Sequence, residues 1–230
     1  MSGARDRVVV KLSGSVFDLD MASTITQYAS VFREVSGIVQ PIVIAGGGRE
    51  ARRYIDAARV LGADESSLDE MGIEVSRLNA RLLAFAIGMD LVHPSVPRNL
   101  EEIGMAASTG RIVVAGGLHP GQSTNATSAL IAERVKARLF INATDVEGIY
   151  TADPRTHRGA VLMKRVSIKE LLSMLGMERF DAGTYELMDI VALKVIQRSR
   201  IPTRVVKADP STIREAIQGH DVGTEIVAAT

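Results

Sequence analysis

Short apolar runs rich in β-branched residues alternate along this chain with longer segments whose apolar residues recur every three or four positions. The runs predict strands at residues 8–12, 39–45, 111–115, 138–143, 203–206 and 225–227. The longer segments predict helices at residues 50–61, 69–87, 123–136, 168–175 and 186–198. Strands that alternate with helices are typical of α/β proteins, so we expect a three-layer αβα sandwich around a mostly parallel sheet.

Three of the predicted strands end at glycine turns. Their turn residues are Ser13, Gly14 and Ser15 after the first strand, Gly46, Gly47 and Gly48 after the second, and Gly116 and Gly117 after the third. At least two of these turns open into a predicted helix, whose N-terminus offers unpaired N–H groups and a partial positive charge to anions. Three such turns in one domain indicate more phosphate groups than a single mononucleotide carries. The pattern therefore favours an enzyme that moves phosphate between two ligands.

The composition permits this function and excludes several others. A chain of 230 residues can form one large α/β domain. Its 27 Lys and Arg balance 27 Asp and Glu, so no overall field directs it to nucleic acid or to a membrane surface. The absence of cysteine excludes disulfides and thiolate metal sites, and the four histidines show no metal-ligand spacing. No apolar run suits a transmembrane helix or a signal peptide, so we expect a cytoplasmic protein.

Lys11 lies near the end of the first apolar strand. If that strand lies inside a parallel sheet, the ammonium reaches the ligand-binding edge and can neutralise charge on a phosphoryl group in transfer. The alternative is a lysine on an edge strand, exposed to solvent. Ser13, Gly14 and Ser15 follow directly and favour a phosphate loop, although the Walker spacing is absent.

The glycine triplet at residues 46–48 exceeds what a turn requires, because each further glycine adds a backbone entropy cost. We interpret it as a site of close ligand approach. Arg52 follows Gly48 by one helical turn and is best placed to reach a phosphate. Arg49 and Arg53 are interpreted as surface residues.

Two further segments carry candidate chemistry. Asp69 can accept a hydrogen bond from a ribose hydroxyl, or it can be the N-cap of the helix that contains Met71. Residues 119–121 form a rigid His-Pro-Gly turn before Ser123 and Thr124, whose hydroxyls can cap a helix and also hold a ligand. No Ser/His/Asp arrangement is visible, so hydrolysis through a nucleophile is unsupported.

Six segments in matching order resemble the amino acid kinase superfamily: VVVKLSGSV, IAGGGREARRYI, MGIEVSRLNARLL, GGLHPGQSTNATSALIAE, TDVEGIYTADPR and AGTYELMDIVALKVIQRS. In detail they are similar to the UMP kinases of the archaeal, hexameric type. The resemblance runs from about Val8 to the end of the sequence. It implies one domain over residues 1–230, with a UMP-binding lobe at about 1–140 and an ATP-binding lobe at about 141–230. It also implies transfer of the γ-phosphate of ATP to UMP, giving UDP and ADP for pyrimidine nucleotide biosynthesis.

The resemblance implies roles for individual positions. The implied catalytic residues are Lys11, Arg52, Asp189 and Lys194. The residues implied to bind ATP are Lys11, Leu12, Ser13, Gly14, Ser15, Gly48, Arg52, Thr144, Asp145, Tyr150 and Asp153. The residues implied to bind UMP are Gly47, Asp69, Leu118, His119, Pro120, Gly121, Gln122, Ser123 and Thr124. Mg²⁺ is expected to be held mainly by ATP oxygens and water, without a dedicated protein site.

Three positions depart from the family pattern. Asn125 stands where many bacterial members carry an aspartate, Asp145 replaces a common asparagine, and Ile190 replaces a common proline. The first two differences change the charge near the expected phosphates. None of the three removes a basic group that phosphoryl transfer needs.

Two other hypotheses stay open. One is a different kinase of the superfamily, acting on a carboxylate, a carbamate or an isoprenoid phosphate. Isopentenyl phosphate kinases usually carry a histidine after the glycine loop, which GGGREARRY lacks, and acetylglutamate kinases are longer. The other is a catalytically silent nucleotide-binding assembly, which the retention of Lys11 and Arg52 disfavours.

The predicted helix at residues 69–87 bears on assembly. Its apolar stripe consists of Met71, Val75, Leu78, Leu82 and Phe85, whereas Arg77, Asn79 and Arg81 are expected on its other faces. Such a helix can bury one face on its own sheet and offer another to a partner subunit. The family resemblance implies a homohexamer built as a trimer of dimers.

Overall fold

The computed structural model describes residues 5–18, 20–176 and 187–227, which form a seven-stranded sheet flanked by eight α-helices. The strands are β1 (Arg7–Leu12), β2 (Gln40–Ala45), β3 (Val113–Ala115), β4 (Leu139–Thr144), β5 (Arg165–Ser167), β6 (Thr203–Lys207) and β7 (Thr224–Val227). The helices are α1 (Met21–Val35), α2 (Gly48–Val60), α3 (Glu65–Ile87), α4 (Leu100–Ser108), α5 (Thr124–Arg134), α6 (Ile168–Gly176), α7 (Ile190–Ser199) and α8 (Pro210–Gln218). A short 3₁₀ turn, Gly14–Phe17, follows β1. No helix of the described segments is long and apolar enough to cross a membrane.

The strand order is β3-β2-β1-β4-β6-β7-β5. The first five strands in this order run parallel, β7 runs antiparallel to β6, and β5 runs parallel to β7. The expected mostly parallel sheet between helices is therefore confirmed. Lys11 lies on the inner strand β1, with Ile44 of β2 and Asn142 of β4 as its register partners. The alternative of an edge-strand lysine is therefore wrong.

Successive residues of β1 supply two separate hydrophobic cores, because side chains alternate between the two faces of a strand. Val9 packs on one face in a cluster with residues of α4, α5, α6 and α7. Val8 and Val10 pack on the opposite face with residues of α1, α3 and α8. The described strands of the parallel part of the sheet are thus covered on both sides, as a parallel sheet requires.

Several elements differ from the sequence prediction. The helices α1, α4 and α8 and the three-residue strand β5 were not predicted, whereas the other described strands lie within two residues of their expected bounds. The helix expected at residues 186–198 is α7, which begins at Ile190 after the N-cap Asp189. Residue 186 lies outside the described residues.

Helix α3 departs furthest from its prediction. It begins at Glu65, four residues before the expected start, because the carboxylate of Asp64 caps it by accepting a hydrogen bond from the Ser67 N–H at 2.8 Å. Of the predicted apolar stripe only Val75 is buried, and the other four members are exposed. Asn79, expected on a polar face, is instead buried. The apolar stripe therefore faces away from the core.

Candidate active site

The carboxyl ends of β1, β2, β3 and β4 lie at one edge of the sheet because these strands run parallel. The three glycine turns predicted from the sequence therefore meet there. The turn after β1 enters the 3₁₀ segment, while those after β2 and β3 lead into α2 and α5. This is the edge at which open α/β sheets bind ligands.

The first two glycine turns contact each other through their backbones. A Cβ atom on Gly14 would lie 2.1 Å from the nitrogen of Gly48, and one on Gly46 would lie 2.6 Å from the nitrogen of Gly14. Gly48 also adopts a φ of +68°, which side chains other than glycine rarely tolerate. The triplet therefore has a packing reason in addition to the ligand approach inferred from the sequence.

Lys11 carries a desolvated ammonium at the centre of this edge. Burial lowers its pKa to about 8, and the negative charge of Asp145 opposes that shift. Among the described residues the ammonium has no hydrogen-bond or ion-pair partner. Its neighbour Asn142 is buried, and the Oδ1 atom of Asn142 also lacks a partner there. A desolvated cation without a direct ion-pair partner among the described residues is suited to receive an anionic ligand.

The N-terminus of α2 is already engaged by a residue that the sequence analysis missed. The Oδ1 atom of Asp18 accepts a hydrogen bond from the Arg49 N–H at 2.6 Å. Arg53 forms an ion pair with Glu50 at 3.0 Å, in keeping with its interpretation as a surface residue. Arg52 is exposed and makes no hydrogen bond or ion pair with the other described residues. Asp18 engages only the backbone of Arg49, whose side chain is also exposed, so among the described residues the guanidinium groups of Arg49 and Arg52 are both available to a ligand.

A cleft of about 220 Å³ opens beside these turns. It is lined by Gly47, Gly48, Ala51, Ile55, Asp69, Gly72, Ile73, Ser76, Gly117, His119, Gln122, Ser123 and Thr124. Six of these were expected to bind UMP: Gly47, Asp69, His119, Gln122, Ser123 and Thr124. The other three expected UMP residues, Leu118, Pro120 and Gly121, belong to the same loop but do not line the cleft, and the Leu118 side chain is buried.

Asp69 joins two walls of this cleft. Its Oδ2 atom accepts a hydrogen bond from the Gly121 N–H at 2.6 Å, which ties the second turn of α3 to the loop after β3. The N-cap alternative for Asp69 is wrong, because Asp64 occupies that position. One carboxylate oxygen of Asp69 thus fixes the loop, and the other has no hydrogen-bond partner among the described residues, so it can accept a hydrogen bond from a ligand hydroxyl.

Ser123 and Asp189 bring two helix N-termini together. Ser123 caps α5 by accepting from the Ala126 N–H at 2.9 Å, and Asp189 caps α7 by accepting from the Ala192 N–H at 2.8 Å. The Ser123 hydroxyl also donates to the second carboxylate oxygen of Asp189. Lys194 lies further along α7, where it is exposed and does not line the cleft.

The long polar loop after β4 holds the remaining expected ATP residues. Thr144 ends β4 and donates to the Oδ1 atom of Asp145 at 3.1 Å, while Arg155 pairs with the other carboxylate oxygen at 2.9 Å. The buried carboxylate of Asp153 accepts from the Arg155 N–H at 2.9 Å, so it shapes the loop itself. Burial and the hydrogen bond to Glu147 raise the pKa of Tyr150.

Ser13 and Leu12 contribute to the site in different ways. Ser13 caps the 3₁₀ turn, and its Oγ atom accepts from the Ser15 hydroxyl at 3.0 Å. The side chain of Leu12 is fully buried in the core, so only its backbone can reach a ligand. Within the described segments, no group of three or more histidine and carboxylate side chains could hold a metal ion.

Some residues at the cleft were missed by the sequence analysis because their roles depend on contacts distant in the chain. Asn79 and Ser76 of α3 hydrogen-bond to the second and third glycine turns. Ile55 and Ile73 form apolar walls of the cleft, and Gly72 allows α3 to approach α2, since a Cβ there would lie 3.2 Å from Ile55. A glycine inside the helical pattern of α3 was the one local signal for this approach.

Known families and structures match the chain over nearly its whole length. The model of the amino acid kinase family matches residues 6–207. The chain is 48% identical over 223 residues to the uridylate kinase of Methanoculleus marisnigri, covering 96% of this chain and 95% of that protein. It is 43% identical over 221 residues to the uridylate kinase of Hyperthermus butylicus, covering 95% of this chain and 97% of that protein. The crystal structure of the uridylate kinase from Archaeoglobus fulgidus has a TM-score of 0.88 at 40% identity, covering 96% of this chain and 99% of that one.

Proposed function

The chain belongs to the amino acid kinase family, and from this premise we propose that it is a nucleoside monophosphate kinase that transfers the γ-phosphate of ATP to UMP. The products are UDP and ADP. The observation that carries the proposal is the near full-length similarity to uridylate kinases, at 48% identity for one of them. It is supported by a cleft that combines two glycine turns with Asp69, and by the desolvated ammonium of Lys11 at the same edge of the sheet.

In this proposal UMP occupies the cleft. The second carboxylate oxygen of Asp69 accepts a hydrogen bond from a ribose hydroxyl, and the loop at residues 118–123 surrounds the base. The phosphate of UMP lies at the start of α2, where the helix dipole favours an anion, and the N–H groups of Gly47 and Gly48 face the phosphoryl group at the transfer point. A phosphate is already anionic near neutral pH, so its oxygen can attack without a general base.

The transfer step depends mainly on electrostatic stabilisation of negative charge. A phosphate oxygen of UMP forms a bond to the γ-phosphorus as the bond to the β,γ-bridging oxygen breaks, and ADP leaves with that electron pair. Negative charge spreads over the equatorial oxygens in such a transition state. Lys11 and Arg52 offset this charge and the mutual repulsion of the two nucleotides, and we assign supporting roles to Asp189 at the N-terminus of α7 and to Lys194 further along that helix.

The second nucleotide, ATP, is assigned to the loop after β4, with Thr144, Asp145 and Tyr150 as contacts. ATP-dependent phosphoryl transfer typically uses a divalent metal, which we propose to be Mg²⁺. The chain fits a metal carried by the nucleotide, because Asp145 is paired with Arg155 and Asp189 is engaged by Ser123 and an N–H group. When bound, the metal would neutralise phosphate charge, with ATP oxygens and water as its main ligands.

The assembly and the location are also proposals. Leu78 and Phe85 of α3 are each 60% exposed, and Leu82 is 41% exposed. An apolar face of this kind suits a subunit contact, so we propose the homohexamer implied by the family resemblance. We further propose that residues 1–140 form the UMP lobe, that residues 141–230 form the ATP lobe, and that the enzyme acts in the cytoplasm.

An ADP-release screen with UMP, CMP, dUMP, acetylglutamate and carbamate tests the proposal. UMP should be preferred over CMP by at least about tenfold, because a polar base-reading site loses paired hydrogen bonds with the wrong base. Equal turnover of CMP would contradict the uridine assignment. Turnover of acetylglutamate or carbamate in place of UMP would move the chain to another branch of the family.

A further inference from the structure

Two side chains that lie one helical turn apart on α3 form hydrogen bonds to the two glycine loops that border the cleft. Asn79 donates from its Nδ2 atom to the Gly46 carbonyl at 2.8 Å and to the Gly47 carbonyl at 3.2 Å. Ser76, three residues earlier on the same helix face, accepts from the Gly117 N–H at 2.8 Å. Asn79 is only 5% exposed, so both of its hydrogen bonds are made in a desolvated environment.

The hydrogen bonds of Asn79 determine which way two N–H groups point. In a planar trans peptide the C=O and the N–H lie on opposite sides of the chain. Asn79 draws the carbonyls of Gly46 and Gly47 toward its own amide, so the N–H groups of Gly47 and Gly48, which share those two peptide units, point away from the Asn79 side chain. Neither N–H has a hydrogen-bond partner within the described residues, and both glycines line the cleft.

We infer that Asn79 is a positioning residue for phosphoryl transfer. It does not line the cleft, and it acts by aiming the Gly47 and Gly48 N–H groups at the phosphoryl group in transfer. The inference rests on the proposed kinase function. Glycine peptides have little intrinsic preference for one orientation, so a side chain that holds their carbonyls is what preorganises the two donors.

The chain offers a matched control at the opposite end of β2. Gln40 is also a buried amide, 3% exposed, and its Nε2 atom also donates to two backbone carbonyls, those of Ala107 and Arg111, each at 2.8 Å. Replacing either amide by leucine removes two hydrogen bonds to backbone carbonyls, and Gln40→Leu also removes the bond that the Gln40 Oε1 atom accepts from Arg7 at 3.1 Å. Only the bonds of Asn79 lie at the glycine turn, so a purely structural role would give both variants the same behaviour.

The test compares Asn79→Leu and Gln40→Leu with the wild type by steady-state kinetics and thermal unfolding. For Asn79→Leu we expect kcat to fall at least about tenfold, with the KM for UMP changed less than about threefold, because donors aimed at the transferring phosphate act mainly in the transition state. For Gln40→Leu we expect a similar loss of thermal stability with kcat unchanged. A folded Asn79→Leu enzyme with wild-type kcat, or an equal loss of kcat in both variants, overturns the inference.

A second variant covers the case in which Asn79→Leu does not fold. Asn79→Asp keeps the shape, but its ionised carboxylate repels the two carbonyls, whereas the protonated acid can donate one hydrogen bond. We expect its kcat, relative to the wild type, to rise as the pH is lowered from 8 to 6. A ratio that is constant and close to one contradicts the inference. The variants are compared on the acceptor that the wild type uses best, so a wild type inactive on UMP refutes the proposed substrate without deciding the role of Asn79.

Discussion

Replacing the Lys11 ammonium by an apolar side chain of similar length should stabilise the ligand-free protein while abolishing its activity. The lowering of the Lys11 pKa from 10.5 to about 8 means that the fold disfavours the charged form. At about 1.4 kcal/mol per pKa unit, this corresponds to an upper bound of about 3 kcal/mol. Part of the side chain stays accessible to solvent, which screens the charge, so we expect Lys11→Met to add about 1–3 kcal/mol to the free energy of unfolding at pH 7.

The stabilisation should depend on pH in a defined direction. Below the folded pKa of about 8, Lys11 is charged in both states and the wild type carries the full penalty. Between about 8 and 10.5 the unfolded chain binds more protons than the native protein, so the stability of the wild type rises with pH. Above 10.5 the lysine is neutral in both states and the advantage of Lys11→Met disappears.

Denaturant unfolding of the ligand-free proteins at pH 7 and at pH 10, at one protomer concentration, measures this difference. Lys207→Met, which removes an exposed lysine on β6, is the control and should change stability little at either pH. Turnover of Lys11→Met should fall at least about a hundredfold, because it lacks the cation that meets the transferred phosphoryl group. A Lys11→Met protein that is less stable than the wild type at pH 7, or equally stabilised at both pH values, refutes the desolvated-cation argument. Wild-type turnover refutes the role in transfer.

Three further changes test the acceptor site, the two joined helix caps and the assembly. Asp69→Ala should raise the KM for UMP at least about tenfold and leave the KM for ATP within about twofold, since it removes a ribose acceptor and the Gly121 bond; equal changes in both KM values would contradict this. Asp189→Asn should lower kcat at least about tenfold. Asp209→Asn, which alters the N-cap of α8 away from the cleft, should affect only stability. Equal kinetics for these two variants would show that Asp189 acts only as the N-cap of α7. Light scattering should give roughly six times 24.7 kDa for the wild type and a smaller species for the double variant Leu82→Glu, Phe85→Glu; a wild-type monomer would reject the hexamer.

The sheet could be predicted from the sequence because its signals are local. Short apolar runs identify β1, β2 and β4 whatever their partners are, and glycine turns identify the carboxyl ends of β1, β2 and β3. The position of β1 inside the sheet could not be predicted, because strand order depends on contacts between distant segments. That position decides between a solvated Lys11 and a desolvated one.

The errors in α3 have the same origin. Asp64 and Asp69 offer the same local capping chemistry, and only the contact of Asp69 with Gly121, 52 residues away, distinguishes the helix cap Asp64 from Asp69, which lines the cleft. Periodicity identified α3 as a helix but assigned its faces wrongly, since Leu82 and Phe85 look like core residues and Asn79 looks like a surface residue. Asn79 is buried because the carbonyls of Gly46 and Gly47 need a donor, a requirement that exists only in the folded molecule.

The two faces of α3 connect the acceptor site with the proposed assembly. One face carries Ser76 and Asn79, which hold the glycine turns on two sides of the cleft, and the exposed face carries Leu82 and Phe85. Gly48 packs against the backbone of Gly14, so the turn after β1 is held in place by the turn after β2. A subunit contact on α3 would therefore restrain the helix from which all three turns take their positions. In the loop after β4, which carries the expected ATP residues, Asp145 and Asp153 are bonded to Arg155 of the same loop. Loss of the contact should accordingly weaken UMP binding more than ATP binding.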